Sequence, residues 1–548
     1  MTSRHKCLHR DTLGLSPLEI HVRFLLTCVL LLASTAIHAA SDFVLTVAPG
    51  PMPVGFRVIE QYDHSRVFLG SHDPVTGREI RGERDRPVQT LVWYPATGTG
   101  TGKAMRFGDY LELTGSELDF GRSREQVRAA ADAFVLEEYV AESGPERARR
   151  ALASPMRALR DAPAQPGKYP VVIYVPSISA PAAENADLCE YLASHGYIVL
   201  ASPSVGPRSR AMPNDLEGAE TGAADIAFLG AYARTLPYAD TSRIAVAGYS
   251  WGGISNVLAA ARDRRIKALV MLDGSVRYCP ELVAAARYVT PETVTAPMLY
   301  VAARPASIED LARRGKPVSS FLDDMKHADV HKLTMYPMEH FAFSSTYLRF
   351  ASDPRFNQYP REEVNRAYGW TATYVKRFLD AYLKDEAPAR AFLAAAPAQH
   401  GIPAHAATME ARPSAGPAPS RERLAAELAR QDFRNVQAAY AAVFGEGKEA
   451  RLSETELNLW GYALLRSGET GPALAIFRLA TELYPASANS FDSLAEACER
   501  NGDRAAAIRH YRHALGLDPK WENARKRLEA LGAGPVDGRA QAAPNKAS

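Results

Sequence analysis

A serine flanked by two glycines is the feature of this sequence that most directly suggests chemistry. Ser250 stands in the stretch GYSWG, between Gly248 and Gly252. The apolar run before it is typical of a strand, and the small and apolar residues after it are typical of a helix. A serine at such a junction is strained, and glycines are needed beside it because side chains would collide with the neighbouring strand or helix. The motif predicts that Ser250 is a nucleophile.

A serine hydroxyl becomes an effective nucleophile only beside a base that an acid orients. With this motif the chain order is serine, acid and then histidine. The strand read from ALVMLDGS ends in Asp273, and His340 follows the strand read from HKLTMYP. The strand between them, APMLYVAARP, ends without a carboxylate, which favours Asp273 as the acid. An acid from the 309–329 stretch, such as Asp310 or Asp323, is the alternative.

The other histidines fit catalysis and metal binding less well. His195 closes a helix before a strand and is expected to be structural. His327 and His331 have the i, i+4 spacing of a metal pair, but no third ligand is evident beside them. We therefore expect two exposed histidines at a helix end, no metal and no cofactor.

The bulk composition limits the partners that this chain can have. It has 548 residues, which favours more than one domain, and 47% are hydrophobic. Its 64 basic residues nearly balance its 62 acidic residues. This balance gives no reason to expect nucleic acid or an anionic membrane as the main partner.

The first 40 residues are typical of a cleavable secretory signal. Basic residues precede the apolar run FLLTCVLLLASTAI (24–37), and small residues follow it at Ala39 and Ala40. The run is too short for a spanning helix, so no stable membrane span is expected. A buried helix or a membrane anchor is the alternative. We expect an exported protein, periplasmic or secreted.

Residues 41–393 show apolar strands that alternate with helical patterns. Continuous Val, Ile and Leu runs separated by helices are typical of a parallel sheet buried on both faces. The expected fold is therefore an α/β domain with a mostly parallel sheet and helices on both faces. An Ala-rich, charged insertion at about 104–165 is expected to be helical. The strands are read at 88–95, 170–176, 197–203, 243–250, 266–274, 297–303 and 331–337.

The C-terminal part of the chain contains an internal repeat. Residues 457–485 align with residues 491–519, 34 positions later, and both segments end in Asp-Pro or Tyr-Pro. This period and its small and aromatic residues resemble the tetratricopeptide repeat. An extra helix layer is expected before the repeats and a capping helix after them, so that the all-α domain covers 421–531. A generic helical bundle is the alternative.

The remaining segments are read from composition. The stretch 394–420, rich in Ala, Pro and Gly, is expected to be a linker, and 532–548 a disordered tail. Aromatic residues of the repeats, such as Trp460 and Phe491, are expected in the core. Polar residues such as Asn489 and Asp492 would instead line a concave groove for a peptide or protein partner. Self-association through the repeats is the other expectation.

The motifs around Ser250 also resemble a known group of enzymes. The segments KYPVVIYVPSISA, DLCEYLASHGYIVLASPS, ADIAFL, AGYSWGG, LDG and EHFAF are similar to platelet-activating factor acetylhydrolases and dienelactone-hydrolase-like esterases of the α/β-hydrolase superfamily. The resemblance covers roughly 165–350. It implies Ser250, Asp273 and His340 as the catalytic triad, with no metal.

The same resemblance implies an oxyanion hole built from the backbone N–H groups of Ile178 and Trp251. One departure concerns the loop that carries Ile178. The family commonly has His-Gly-x-Gly there, whereas this chain has Pro-Ser-Ile-Ser at 176–179. The loss of both glycines makes the conformation of this loop a question for the structure.

The expected function is that of an exported serine hydrolase that cleaves a small carboxylic ester through an acyl-enzyme. A serine peptidase of the prolyl-oligopeptidase type shares the motif and the order of the triad. A catalytically inactive scaffold that binds peptides through its repeats is the alternative from another class.

Overall fold

The computed structural model describes residues 43–68, 72, 76–79, 85–98, 102–304, 321–356, 358–445 and 452–534. The chain divides into two compact units, Met1–Gly416 and Pro417–Ser548. The predicted signal peptide and the tail beyond Gly534 lie outside the described residues. Among the described residues, no helix is both long and apolar enough to cross a membrane.

The first unit is built on one sheet of eleven strands. In spatial order, the strands run β11, β10, β9, β8, β7, β5, β6, β2, β1, β4 and β3. Their bounds are β1 Val54–Val67, β2 Asp85–Pro95, β3 Lys103–Arg106, β4 Pro155–Arg160, β5 Tyr169–Val175, β6 Ile198–Ala201, β7 Ala239–Tyr249, β8 Ile266–Leu272, β9 Met298–Ala303, β10 Val330–Met335 and β11 Ala407–Arg412.

The centre of the sheet is parallel, whereas its two sides contain antiparallel pairs. From β6 through β5, β7, β8 and β9 to β10, each neighbouring pair is parallel. By contrast, β2 is antiparallel to both β1 and β6, and β11 is antiparallel to β10. The fold class is as expected, but the strand read at 88–95 does not continue the parallel series. Antiparallel edge strands on a parallel sheet are common in this class of fold.

Helices connect the strands and cover both faces of the sheet. Those of the first unit are α1 Phe107–Glu112, α2 Arg124–Val135, α3 Ala141–Ser143, α4 Pro145–Ala153, α5 Ala186–Ser194, α6 Leu216–Ala233, α7 Gly252–Arg262, α8 Pro280–Ala285, α9 Phe321–Asp324, α10 Ser345–Phe350, α11 Arg361–Leu383 and α12 Ala387–Ala394. Short 3-10 turns also occur at Ser275–Arg277 and His340–Phe343, among other places.

Alternating side chains of the central strands supply two hydrophobic cores. In β7, Ala245 and Ala247 face the core that includes residues of α5 and α11. Ile244 and Val246 face the opposite core, which includes residues of α6 and α7. Because successive side chains in a strand point to opposite faces, a strand between two helix layers must be apolar at every position. This explains why the central strands read as continuous apolar runs.

Two predictions from composition are corrected by the sheet. The insertion at 104–165 is helical only in its middle, because β3 and β4 pair with each other and β4 pairs with β1. The stretch 394–420 is not a plain linker, because β11 lies within it and pairs with β10 along six residues. In both places, the strands are defined by backbone hydrogen bonds at the edge of the sheet. Their polar side chains lack the apolar pattern by which a strand is recognised in the sequence.

The second unit is all helical. Its helices are α13 Arg421–Arg430, α14 Val436–Phe444, α15 Glu454–Arg466, α16 Thr470–Leu483, α17 Ala488–Arg500, α18 Arg504–Leu517 and α19 Glu522–Ala530. The segment expected to hold one extra helix layer thus contains two helices. Small residues allow close packing, since a side chain added at Gly461 would lie 2.5 Å from the Phe477 ring.

Several residues of the second unit differ in burial from the prediction. Phe477 and Tyr511 are fully buried, whereas Trp460 and Phe491 are only partly buried at the margins of the cores. Asp492, expected in an open groove, is buried and accepts a hydrogen bond from the Asn523 amide at 2.7 Å. The tetratricopeptide interpretation and its partners stay predictions.

Candidate active site

Ser250 lies at the sharp turn between β7 and α7, in the left-handed region at φ 52°. Two close approaches require the glycines beside it. A Cβ added at Gly248 would lie 2.6 Å from the carbonyl carbon of Gly252. A Cβ added at Gly252 would lie 2.4 Å from the carbonyl oxygen of Val175 in β5. Both distances are shorter than any carbon atom tolerates, so the proposed reason for the glycines is confirmed.

The structure brings the three predicted triad residues together. The Oγ of Ser250 lies 2.9 Å from Nε2 of His340. Nδ1 of the same imidazole lies 2.6 Å from Oδ2 of Asp273. One ring can therefore accept the serine proton through Nε2 while it donates its Nδ1 hydrogen to the carboxylate. This is the hydrogen-bonding chain that activates a serine hydroxyl.

Asp273 is completely buried, and hydrogen-bond donors surround its carboxylate. Its Oδ1 accepts from the backbone N–H of Ala303 at 3.0 Å. The hydroxyl of Tyr278 lies 3.0 Å from Oδ1 and 3.2 Å from Oδ2. A buried charge needs such compensation because it has lost its water. These contacts also fix the direction in which the carboxylate faces His340.

His340 is held by its own backbone as well as by Asp273. It begins the 3-10 turn His340–Phe343 after β10, and its carbonyl oxygen accepts from the Tyr249 hydroxyl at 3.0 Å. Tyr249 directly precedes Ser250, so this hydrogen bond ties the turn of the base to that of the nucleophile. The His340 side chain is 34% exposed, so part of the ring is accessible from solvent.

The loop after β5 runs beside the nucleophile turn, because β5 and β7 are parallel neighbours. Within the described part of the chain, the backbone N–H groups of Ile178 and Trp251 donate to no other group. In the loop without glycines, Ser179 adopts the left-handed conformation, with φ 57°. Its Oγ accepts a hydrogen bond from the backbone N–H of Met212 at 2.9 Å. A serine thus occupies a conformation that usually favours glycine.

The remaining histidines and the alternative acid lie elsewhere. Nδ1 of His195 lies 2.8 Å from the carbonyl oxygen of Tyr191, at the end of α5. His327 and His331 are half-buried rather than exposed, and His331 lies in β10 beside the Tyr382 hydroxyl. The expectation of two exposed histidines at a helix end is therefore wrong. Asp323 is exposed in α9, whereas Asp310 lies outside the described residues.

Two residues of the site carried no signal in the sequence. Tyr278 reaches Asp273 only because the chain turns back through the 3-10 turn after β8. Glu184 lies in the turn just before α5, and its buried carboxylate accepts two hydrogen bonds from Ser177. Glu184 and Ser177 are seven residues apart and joined by a loop, so the periodicity of a helix or strand does not predict their contact. Among the described residues, no three His, Cys, Asp or Glu side chains are placed to hold a metal ion.

Comparison with known proteins identifies one related family. Residues 156–378 match the model of the dienelactone hydrolase family, and this range contains all three residues of the Ser250 hydrogen-bonding chain. No curated protein matches the chain. Among solved structures, a ferulic acid esterase from Streptomyces cinnamoneus matches with 20% identity and a TM-score of 0.44, covering 63% of this chain and 94% of its own. Over residues 156–378 the chain is therefore similar to the dienelactone hydrolase family, which its motifs also resemble.

Proposed function

We propose that this protein is a serine hydrolase that cleaves carboxylic esters through an acyl-enzyme. The observation that carries the proposal is the continuous series of hydrogen bonds from Ser250 Oγ to His340 Nε2 and from His340 Nδ1 to the Asp273 carboxylate. The similarity of residues 156–378 to a hydrolase family supports the reaction class. No redox or metal-dependent step is needed for this chemistry.

The reaction proceeds in two halves. Ser250 Oγ attacks the ester carbonyl carbon while His340 Nε2 takes its proton, and the imidazolium that forms is stabilised by Asp273. The negative carbonyl oxygen is stabilised by the N–H groups of Ile178 and Trp251. His340 then protonates the departing alkoxide. In the second half, His340 activates a water molecule that releases the acid from Ser250.

The proposal is tested by labelling and turnover on the same preparations. A fluorophosphonate probe is expected to label wild type at Ser250 alone, and p-nitrophenyl acetate is expected to be hydrolysed. In comparable enzymes, removal of a triad residue lowers kcat by about 10⁴ to 10⁶. Ser250→Ala and Asp273→Asn should therefore lose turnover while remaining folded. Persistent labelling of Ser250→Ala would contradict the assignment of the nucleophile.

Two further parts of the proposal concern the ends of the chain. The basic and apolar pattern of the first 40 residues supports export, which N-terminal sequencing of the mature protein tests. The 34-residue repeat supports a tetratricopeptide module for a peptide, a protein partner or a second copy. The mass of the full chain in solution distinguishes self-association from the other two.

A further inference from the structure

One buried carboxyl group beside the site takes no part in the proposed chemistry. Glu184 is only 7% exposed. Its Oε2 accepts the backbone N–H of Ser177 at 2.8 Å, and its Oε1 accepts the Ser177 hydroxyl at 2.6 Å. Among the described residues, no basic side chain forms an ion pair with Glu184. The carboxylate is therefore compensated by the two short hydrogen bonds from Ser177 and by the Tyr174 hydroxyl, which lies 3.5 Å from Oε2.

The backbone at Glu184 is anchored to the segment that follows His340. Its carbonyl oxygen accepts from the backbone N–H of Thr346 at 3.1 Å and from the Thr346 hydroxyl at 2.8 Å. The next residue, Asn185, donates to the carbonyl oxygen of Phe343 at 2.9 Å and accepts from the N–H of Ser345 at 2.8 Å. Glu184 is thus a fixed point relative to the segment that carries the base.

Ser177 immediately precedes Ile178, and all of its polar groups are engaged. Its N–H and hydroxyl donate to Glu184, and its carbonyl oxygen accepts from the N–H of Ala180 at 3.2 Å. Because a trans peptide is planar, the N–H of Ile178 must point opposite to the Ser177 carbonyl. The three contacts of Ser177 therefore set the direction of the Ile178 N–H.

We propose that Glu184 is a positioning residue that holds Ser177, and through it the Ile178 N–H, in the direction needed to stabilise the oxyanion. The inference rests on the proposed function. In a loop without glycines, the contact with Glu184 holds the first part of the loop, and the contact of Ser179 with Met212 holds the second. Burial raises the pKa of the Glu184 carboxyl to about 7, although the hydrogen bonds from Ser177 oppose this rise.

Two substitutions separate geometry from charge. In Glu184→Gln, the amide oxygen can accept the Ser177 N–H, and the amide NH₂ can donate to the Ser177 hydroxyl after that hydroxyl rotates. This variant keeps both contacts and removes the charge. Glu184→Ala removes both contacts. The matched control is Glu190→Gln. Glu190 lies within α5, is likewise buried, and accepts backbone and hydroxyl hydrogens, but from Tyr110, Arg157 and Ala158.

The experiment measures kcat and KM for p-nitrophenyl acetate per active site titrated with fluorophosphonate. It also measures the affinity of a boronic acid, whose tetrahedral adduct on Ser250 places an oxygen where the oxyanion forms. Loss of one oxyanion donor lowers kcat by about 10² to 10³. We expect Glu184→Ala to lower kcat by about 10² with KM nearly unchanged, and to weaken boronate affinity in parallel. The kcat and boronate affinity of Glu184→Gln should stay within about threefold of the wild-type values, and those of Glu190→Gln should stay in the same range.

Several results would overturn the inference. Normal kcat and boronate affinity in a folded Glu184→Ala would show that the contact has no positioning role. Equal losses in Glu184→Gln and Glu184→Ala would assign the effect to charge near His340 instead. If Glu184→Ala does not fold, Ser177→Ala removes the hydroxyl contact with Glu184 and leaves the backbone N–H contact. Unchanged kcat and boronate affinity in that variant would reject a positioning role for the side-chain contact. A wild type that neither hydrolyses esters nor reacts with the probe would reject the proposed function itself.

Discussion

The carboxyl group of Glu190 is expected to make the first unit less stable as the pH rises. Its side chain is 2% exposed. Burial raises the pKa of Glu190 from its ordinary 4.5 to about 7, and the nearby Asp187 carboxylate acts in the same direction. Hydrogen bonds from the Tyr110 hydroxyl and the Arg157 N–H oppose this rise. The folded protein therefore holds a proton on Glu190 over a pH range in which the unfolded chain has released it.

The sign and size of the effect follow from linkage. A carboxyl group whose pKa is raised by folding contributes stability that is fully present below pH 4.5, the pKa in the unfolded chain. That contribution is lost as the pH rises to the folded-state value of about 7. The difference between the two pKa values corresponds to about 3 kcal/mol of unfolding free energy between pH 4 and pH 8. Glu184 adds a second loss of the same sign, since burial raises its pKa to about 7 too.

Glu190→Gln removes one of these two titrations and keeps a hydrogen-bonding side chain. Wild type and variant are unfolded in urea at several pH values from 4.5 to 8. At each urea concentration, brief proteolysis cleaves the unfolded protein, and peptides from the first unit report how much of that unit is unfolded. The wild-type free energy of unfolding should fall relative to the variant by about 3 kcal/mol over this range. Glu146→Gln, with a side chain 81% exposed, is the control. Parallel pH profiles for wild type and Glu190→Gln would refute the reasoning.

Three further predictions concern the site and the limits of the first unit. Tyr278→Phe removes a hydroxyl that donates to the Asp273 carboxylate. A hydrogen bond to a charged group contributes about 1.5 to 3 kcal/mol, so kcat should fall by about 10-fold or more while KM stays unchanged. Gly252→Ala forces a carbon against the β5 carbonyl, and a loss of about 1 to 3 kcal/mol in urea unfolding is expected, together with slower fluorophosphonate labelling. A chain that ends at Gly416 keeps β11 and should retain its ester turnover per labelled site. A chain that ends at Ala396 lacks β11 and should give a lower yield of soluble protein. Equal soluble yields of the two chains would contradict a stabilising role for β11.

Part of the site could be predicted from local sequence because its requirements are local. The turn that holds Ser250 needs glycine on either side, and those glycines are visible in the sequence. In a parallel sheet, the ends of successive strands meet along one edge, so Asp273 and His340 could be sought where their strands end. The strand ends limit the candidate residues, but only the folded chain brings Nδ1 of His340 to 2.6 Å from Asp273.

The edges of the sheet were less predictable than its centre. Central strands are buried on both faces and must be apolar at every position, which makes them recognisable. An edge strand such as β11, with the sequence ATMEAR, is mostly half-exposed or exposed. Its composition is that of a linker, and only its backbone hydrogen bonds with β10 define it as a strand. Those bonds depend on a partner about 75 residues away in the chain.

The sequence by itself determined the apolar runs of the sheet core, the glycine-flanked serine and the helical repeat, because each depends on residues close together in the chain. Tertiary structure alone decided which side chains complete the site. Tyr278 and Glu184 make contacts that turns and loops create, and no residue type or spacing in the sequence indicates those contacts. Hydrogen bonding among buried polar groups requires atoms within about 3 Å, and only the packed chain defines distances on that scale.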